Sequence, residues 1–257
     1  MNTLFAAYLG LVTGYWREVA LGLVCLVMLA GFLLQAPMAQ SLEYHEFADD
    51  RVLLGIANLQ DVASNTPFFL IGVAGVLFCL RQRLALSWLV LFAATALVCF
   101  GSGYYHLTPR NDTLLWDRLP MTVAFMALFV ALISEHMSAN VERYVLAPAV
   151  AVGLASALWW HFTDDLRFYF WVQYTPLVCI PLVLALFPGR YTHRGYLFYG
   201  LGLYVLAKLT EAWDHEIFAL TANLVSGHTL KHVLAAGAVL SILLMLMMRK
   251  SASVSNR

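Results

Sequence analysis

The chain has 257 residues; 61% are apolar, 12% are charged, and its 15 basic and 15 acidic residues cancel. An ordinary soluble domain carries about 25% charged residues, so this composition points to a protein of the bilayer. With no basic excess and no basic stripe interleaved with aromatics, nothing points to nucleic-acid binding. The four cysteines, Cys25, Cys79, Cys99 and Cys179, lie inside apolar runs without CxxC spacing and read as small packing residues.

A membrane-spanning helix needs about 20 mostly apolar residues. By that measure the chain holds eight spans, near 19–38, 62–80, 84–106, 119–137, 144–161, 168–187, 196–217 and 229–248. The first has a rival reading, because Ala36-Pro37-Met38-Ala39 loosely fits a signal-peptidase site. The stretch before it is long and already apolar, with a single Arg17 ahead of the run, and this favours a retained helix. The connector 40–64 is the longest loop, and its Leu53, Leu54, Ile56 and Leu59 among acidic residues predict a short amphipathic helix lying on the membrane.

Lys and Arg in short loops set the orientation. With a cytoplasmic N-terminus, Arg17, Arg81, Arg83, Arg143, Arg190, Arg194, Arg249 and Lys250 all fall inside, against Arg51, Arg110, Arg118 and Arg167 outside. The opposite loops carry most of the acidic residues, and Trp159, Trp160, Phe168, Tyr169 and Trp171 form an interfacial belt around Asp164. Both termini are then cytoplasmic. The His106 and His228 ends of their helices face outward.

Ionisable groups in spanning helices are costly, so each needs an account. Ser102 and His106 are four apart, as are His228 and His232, which puts each pair on one helix face near the same membrane surface. Three imidazoles from two helices can converge as a catalytic zinc site with an open position for water. Asp117, expected at the start of the fourth span, is the candidate general base and proton shuttle. It also reads as an N-cap, with Pro120 in the first turn. Ser102 is the candidate partner of the water or the oxyanion.

The remaining ionisable residues divide less sharply. His45, His136, His161, His193 and His215 read as interhelical hydrogen-bonding or interfacial residues. Lys208 and Glu211 are spaced to pair across one helical turn. Glu211 or Asp214 can alternatively orient a metal-bound histidine from behind. Pro176 and Pro181 are placed to kink the sixth span and open room for an acyl chain.

The ordered set Ser102-xxx-His106, Asp117 in Trp-Asp-Arg-Leu-Pro-Met, and His228-xxx-His232 resembles the signature of the alkaline ceramidases. These are grouped with seven-helix membrane hydrolases that include the adiponectin and progestin receptors. Ser64-Asn65-Thr66-Pro67-Phe68 is similar to the opening of the ceramidase core, and the likeness runs from about Ala57 to the end of the last span. The resemblance implies an all-α membrane fold: an accessory N-terminal helix within 1–40, a seven-helix core over 41–250 and a cytoplasmic polar tail, 251–257. It implies zinc on His106, His228 and His232, with Asp117 and Ser102 catalytic. It also implies a ceramide-like membrane lipid as substrate, cleaved at its amide to a sphingoid base and a fatty acid.

Eukaryotic members bind calcium through an acidic stretch ahead of the core. Here Glu43, Glu46, Asp49, Asp50, Asn58 and Asp61 offer oxygen ligands in that region, and calcium is carried as a second expectation on Asp49, Asp50, Asn58 and Asp61. Three other readings stay open: hydrolysis of another lipid, a zinc-containing receptor without catalysis, and a proton-coupled transporter using Lys208, Glu211 and Asp214. The transporter lacks the internal repeats such folds show. The short loops are those of a bacterial inner-membrane protein.

Overall fold

The computed structural model describes residues 14–138 and 140–251. The first thirteen residues of the expected accessory segment and residues 252–257 of the polar tail lie outside them. The described chain is helical apart from one small hairpin. Helix α1 spans Trp16–Leu33, and after the connector come α2, Leu59–Ala63, and α3, Thr66–Gln82. Then follow α4, Leu86–Leu107; α5, Asn111–His136; α6, Asn140–Thr163; and α7, Arg167–Leu186. The chain ends with α8, Tyr196–Ala212; α9, Asp214–Leu220; and α10, Gly227–Met248.

Seven segments are long and apolar enough to cross a membrane, with α2 and α3 counted together as Leu59–Gln82. The eighth expected span is α8, whose 17 residues rise about 25 Å. With no water in the bilayer core, each spanning segment must satisfy its backbone internally, which is why apolar runs of this length fold as helices.

The helices from α3 onward close into a ring. Each of α3, α4, α5 and α6 packs on its successor, α7 joins α5 and α6, α8 bridges α7 and α10, and α10 returns to α3. Helix α1 stands outside this ring against α7, with Leu23, Leu26 and Val27 exposed as a lipid-facing surface requires. The accessory helix plus seven-helix core is therefore the observed architecture. The largest apolar cluster joins Trp88, Leu91 and Phe92 of α4 to Val130 and Leu132 of α5 and to Ile242 and Met245 of α10.

Three sequence expectations change. The connector forms no helix across Leu53, Leu54 and Ile56; its only α-helix is the five-residue α2 at its end, Leu59–Ala63. Before that it makes a 3-10 turn at Leu42–His45 and an antiparallel hairpin of β1, Val52–Leu53, with β2, Ile56–Ala57. Leu54 and Gly55 both have positive φ (54° and 77°), as the two central residues of a tight hairpin turn of this hand require.

The seventh span breaks at Trp213, and Asp214 starts a separate helix. Its carboxylate is drawn to two backbone amides, Ala48 N at 2.9 Å and His228 N at 2.7 Å.

Helix α5 begins at Asn111, eight residues before the expected start, and is capped around Arg110 and Thr113. Asp117 therefore lies in the second turn and is no N-cap, and Pro120 sits inside the helix. There Pro120 supplies no N–H for the Trp116 carbonyl. A Cβ on Gly101 of α4 would stand 2.1 Å from that same Trp116 oxygen, so only glycine lets the two helices come this close.

Candidate functional site

Four elements meet at one end of the ring: the last turn of α4, the second turn of α5, the first turns of α10, and the connector. His106, His228 and His232 converge there, 0%, 3% and 3% exposed. Their ring centroids are 4.8 to 5.0 Å apart, and one nitrogen from each lies within 4.8 Å of the others. The three buried histidines can hold a metal ion.

Two features of the imidazoles fit that use. Neither ring nitrogen of fully buried His106 has a hydrogen-bond partner among the described residues. Leaving such groups unpaired costs about 1–3 kcal/mol each, and a bound cation would partner the nitrogen that carries the lone pair. For His232, Ser64 Oγ lies 2.7 Å from Nδ1 and donates its own proton to the Asp61 carbonyl at 2.9 Å. The hydroxyl oxygen must therefore accept from Nδ1–H, which leaves Nε2 with its lone pair. This is the usual way a ligating histidine is oriented from behind.

His228 is set differently. Its backbone N–H donates to Asp214 Oδ1 at 2.7 Å, and Lys231 Nζ donates to its Nε2 at 2.9 Å. A Cβ on Gly227 would meet the Thr210 carbonyl at 2.1 Å, so the bare glycine lets the start of α10 drop against the end of α8.

Asp117 is 7% exposed and Ser102 2%; the Ser102 side chain faces the Asp117 carboxylate. Both line a cavity of about 300 Å³ whose polar end also carries His232, Lys231, Lys208 and Glu211. The cavity then runs between apolar walls as far as Leu91, Leu128 and Ile242. Leu91 and Ser102 both line it, and at 1.5 Å per helical residue they mark a depth of about 16 Å.

The expected Lys208–Glu211 pair is present. Glu211 Oε1 also accepts from Lys231 Nζ at 2.9 Å and from Tyr44 Oη at 3.0 Å. Burial, and then the negative charge of Glu211, hold the Tyr44 phenol well above its ordinary pKa, so it stays a donor. Neither Glu211 nor Asp214 hydrogen-bonds an imidazole. Glu211 reaches His228 through Lys231, and Asp214 reaches it through the backbone. The residues behind His232 are Ser64 and Asn65.

The acidic connector residues take separate tasks. Asp49 forms a bidentate pair with Arg51, at 2.6 and 2.8 Å, and those hydrogen bonds hold its carboxyl below the usual range. Asn58 Nδ2 donates to the His106 carbonyl at 2.9 Å. Asp61 Oδ1 accepts from Thr229 Oγ1 at 2.6 Å, and Asp50 is exposed. Among the described residues, the only cluster of histidine, cysteine and carboxylate side chains able to hold a metal is the histidine triad.

Phe47, 8% exposed, closes the site from the connector side, its ring centroid 4.7 Å from those of His106 and His228. His45 is anchored by Tyr105 Oη and Asn111 Oδ1, both at 2.9 Å, as the hydrogen-bonding reading of the lone histidines expects.

The family model for ceramidase matches residues 51–194, more than half of the chain. The chain belongs to the ceramidase family. The matched region contains Ser102, His106 and Asp117, and the folded chain brings His228 and His232 to His106 from beyond it. No curated protein matches the chain significantly. Family membership and the apolar cavity together support a hydrolase of lipid amide bonds in a multi-pass membrane protein.

Proposed function

We propose that the chain is a zinc-dependent lipid amidase that cleaves the N-acyl amide of a ceramide to a sphingoid base and a fatty acid. The observation that carries this reading is a triad of buried histidines, one of which, His232, lines the polar end of a long apolar cavity together with Ser102 and Asp117. Three imidazoles without thiolate suit zinc. Zinc on His106, His228 and His232 supplies a Lewis acid and brings the pKa of a water to about 7.

The chain's own residues do the rest. The apolar walls take the acyl chain and place the amide carbonyl beside Ser102 and Asp117. The Asp117 carboxylate accepts a proton from the attacking water and returns it to the amide nitrogen as the C–N bond breaks. Ser102 Oγ–H donates to the negative charge that develops on the carbonyl oxygen. Phe47 keeps bulk water from the histidines, which strengthens every charge interaction inside. We take this end of the ring to lie at the outer face of the membrane, a reading that the charge pattern of the short loops supports.

Metal content and ceramide hydrolysis, measured together on wild type and on Asp117→Asn, test the proposal. The expected result is near-stoichiometric zinc in both proteins and turnover in wild type alone. A wild type with full zinc that releases no fatty acid from ceramide rejects ceramide as the substrate. A wild type purified without zinc rejects the metal assignment.

A further inference from the structure

Arg118 follows Asp117 on α5 and lines the same cavity. It is 5% exposed. Its guanidinium lies 3.8 Å from the Trp160 ring centroid and 4.6 Å from that of Tyr169. Nη2 donates to Gln40 Oε1 at 2.5 Å, while Nη1 is buried with no partner. The ion pairs of the described chain join Arg51 to Asp49, Arg167 to Asp165, Arg249 to Glu135, and Lys208 and Lys231 to Glu211. Arg118 forms none.

An arginine does not relieve burial by losing its proton. Cation–π contacts return only part of what desolvating an ion costs. The rings also guard the guanidinium, leaving the N–H fork edge as its polar outlet. That fork matches two oxygens of a carboxylate or phosphate. The cavity lining carries Asp117 and Glu211 against Arg118, Lys208 and Lys231, so its formal charge is positive before any metal is counted.

We propose that Arg118 and Gln40 form a subsite of the lipid cavity that binds an oxyanion borne by a long-chain lipid. The oxyanion is either the carboxylate of the released fatty acid or a phosphate on the lipid headgroup. The inference rests on the reading of this cavity as the lipid site.

The test is equilibrium binding of radiolabelled palmitate, hexadecyl phosphate and hexadecanol to the zinc-loaded full-length chain in neutral detergent, compared with Arg118→Gln. The metal acts equally on both proteins, so the Arg118-dependent change in the anion-to-alcohol ratio is the readout. Wild type is expected to prefer an anion over hexadecanol by about tenfold or more, the scale of a charge-assisted hydrogen bond. In Arg118→Gln that preference falls to within about twofold, with hexadecanol binding retained.

A preference for palmitate assigns the subsite to the released acid, and a preference for hexadecyl phosphate assigns it to a phosphorylated headgroup. Equal binding of all three probes to wild type, or an anion preference that survives Arg118→Gln, overturns the subsite and leaves the lipid cavity standing. Failure of all three to bind removes the lipid cavity, and the subsite with it. Should Arg118→Gln not fold, Gln40→Met decides: a ratio lowered at least threefold supports the subsite, and an unchanged ratio overturns it.

Discussion

Ser64 Oγ sits 2.7 Å from His232 Nδ1 while donating to the Asp61 carbonyl at 2.9 Å, so a single hydroxyl fixes which nitrogen of His232 is free. Ser64→Ala removes that acceptor and leaves Nδ1–H facing Asn65 Nδ2 at 3.5 Å, where two donors confront each other. Loss of such an outer partner lowers metal affinity about 10- to 100-fold. Competition with a chromophoric chelator reads this directly. Thermal unfolding of the metal-free protein should stay close to wild type. An affinity equal to wild type would show that Ser64 has no part in orienting the ligand.

Gly101 and Gly103 make a matched pair one turn before His106. A Cβ at 101 meets backbone at 2.1, 2.8 and 3.3 Å, while one at 103 finds Val62 Cγ1 at 4.0 Å as its nearest neighbour. Backbone cannot move aside as a side-chain tip can, so Gly101→Ala must push α4 from α5. The expected cost is about 1–3 kcal/mol, with turnover reduced because Ser102 and Asp117 lie on opposite sides of the widened contact. Gly103→Ala should leave both melting temperature and turnover near wild type. Equal tolerance of the two substitutions would remove the close contact from the account.

Much of this was legible in the sequence because the bilayer narrows the choices. Apolar runs of spanning length had to be helices, and i, i+4 spacing placed Ser102 with His106 and His228 with His232. The start of α5 was misread because Pro120 carries the signature of a first turn, whereas in the folded chain it works mid-helix beside Gly101. Phe47, Ser64 and Lys231 escaped notice as functional residues for a different reason. Each acts through a contact across the fold, and no local pattern reports which distant imidazole a phenylalanine or serine will touch. The one available signal for Lys231 was its place three residues after His228, a helical neighbour position.

Phe47 covers the histidines from a connector held by a few side-chain contacts. Phe47→Ala opens a water path to a site that its apolar surround otherwise keeps dry. Metal loss to excess EDTA should be several-fold faster than in wild type, with the equilibrium metal content at neutral pH unchanged. Stopped-flow measurement with a metal-sensitive dye separates rate from affinity. A release rate equal to wild type would mean that the metal leaves by another route.

An acid-sensitive clasp holds the start of the connector to the loop between α6 and α7. Arg167 joins Asp165 at 2.6 Å and donates to the carbonyls of Leu33 and Gln35 at 3.0 and 2.7 Å. Asp165 in turn accepts from Met38 N at 3.4 Å. The Arg167 hydrogen bonds hold the Asp165 carboxyl below its ordinary value, and Arg51 does the same for Asp49. A depressed carboxyl contributes stability that is complete above the unfolded pKa, about 3.9. That stability is lost as pH falls through the lower folded value. Hydrogen exchange of residues 34–58 should therefore be flat from pH 7 to about pH 4 after correction for the intrinsic rate, then rise below it. Asp165→Asn should raise the neutral-pH baseline around Met38 and flatten the acid rise there. Opening of the connector near pH 6 in wild type would instead assign the clasp to a group other than these two carboxylates.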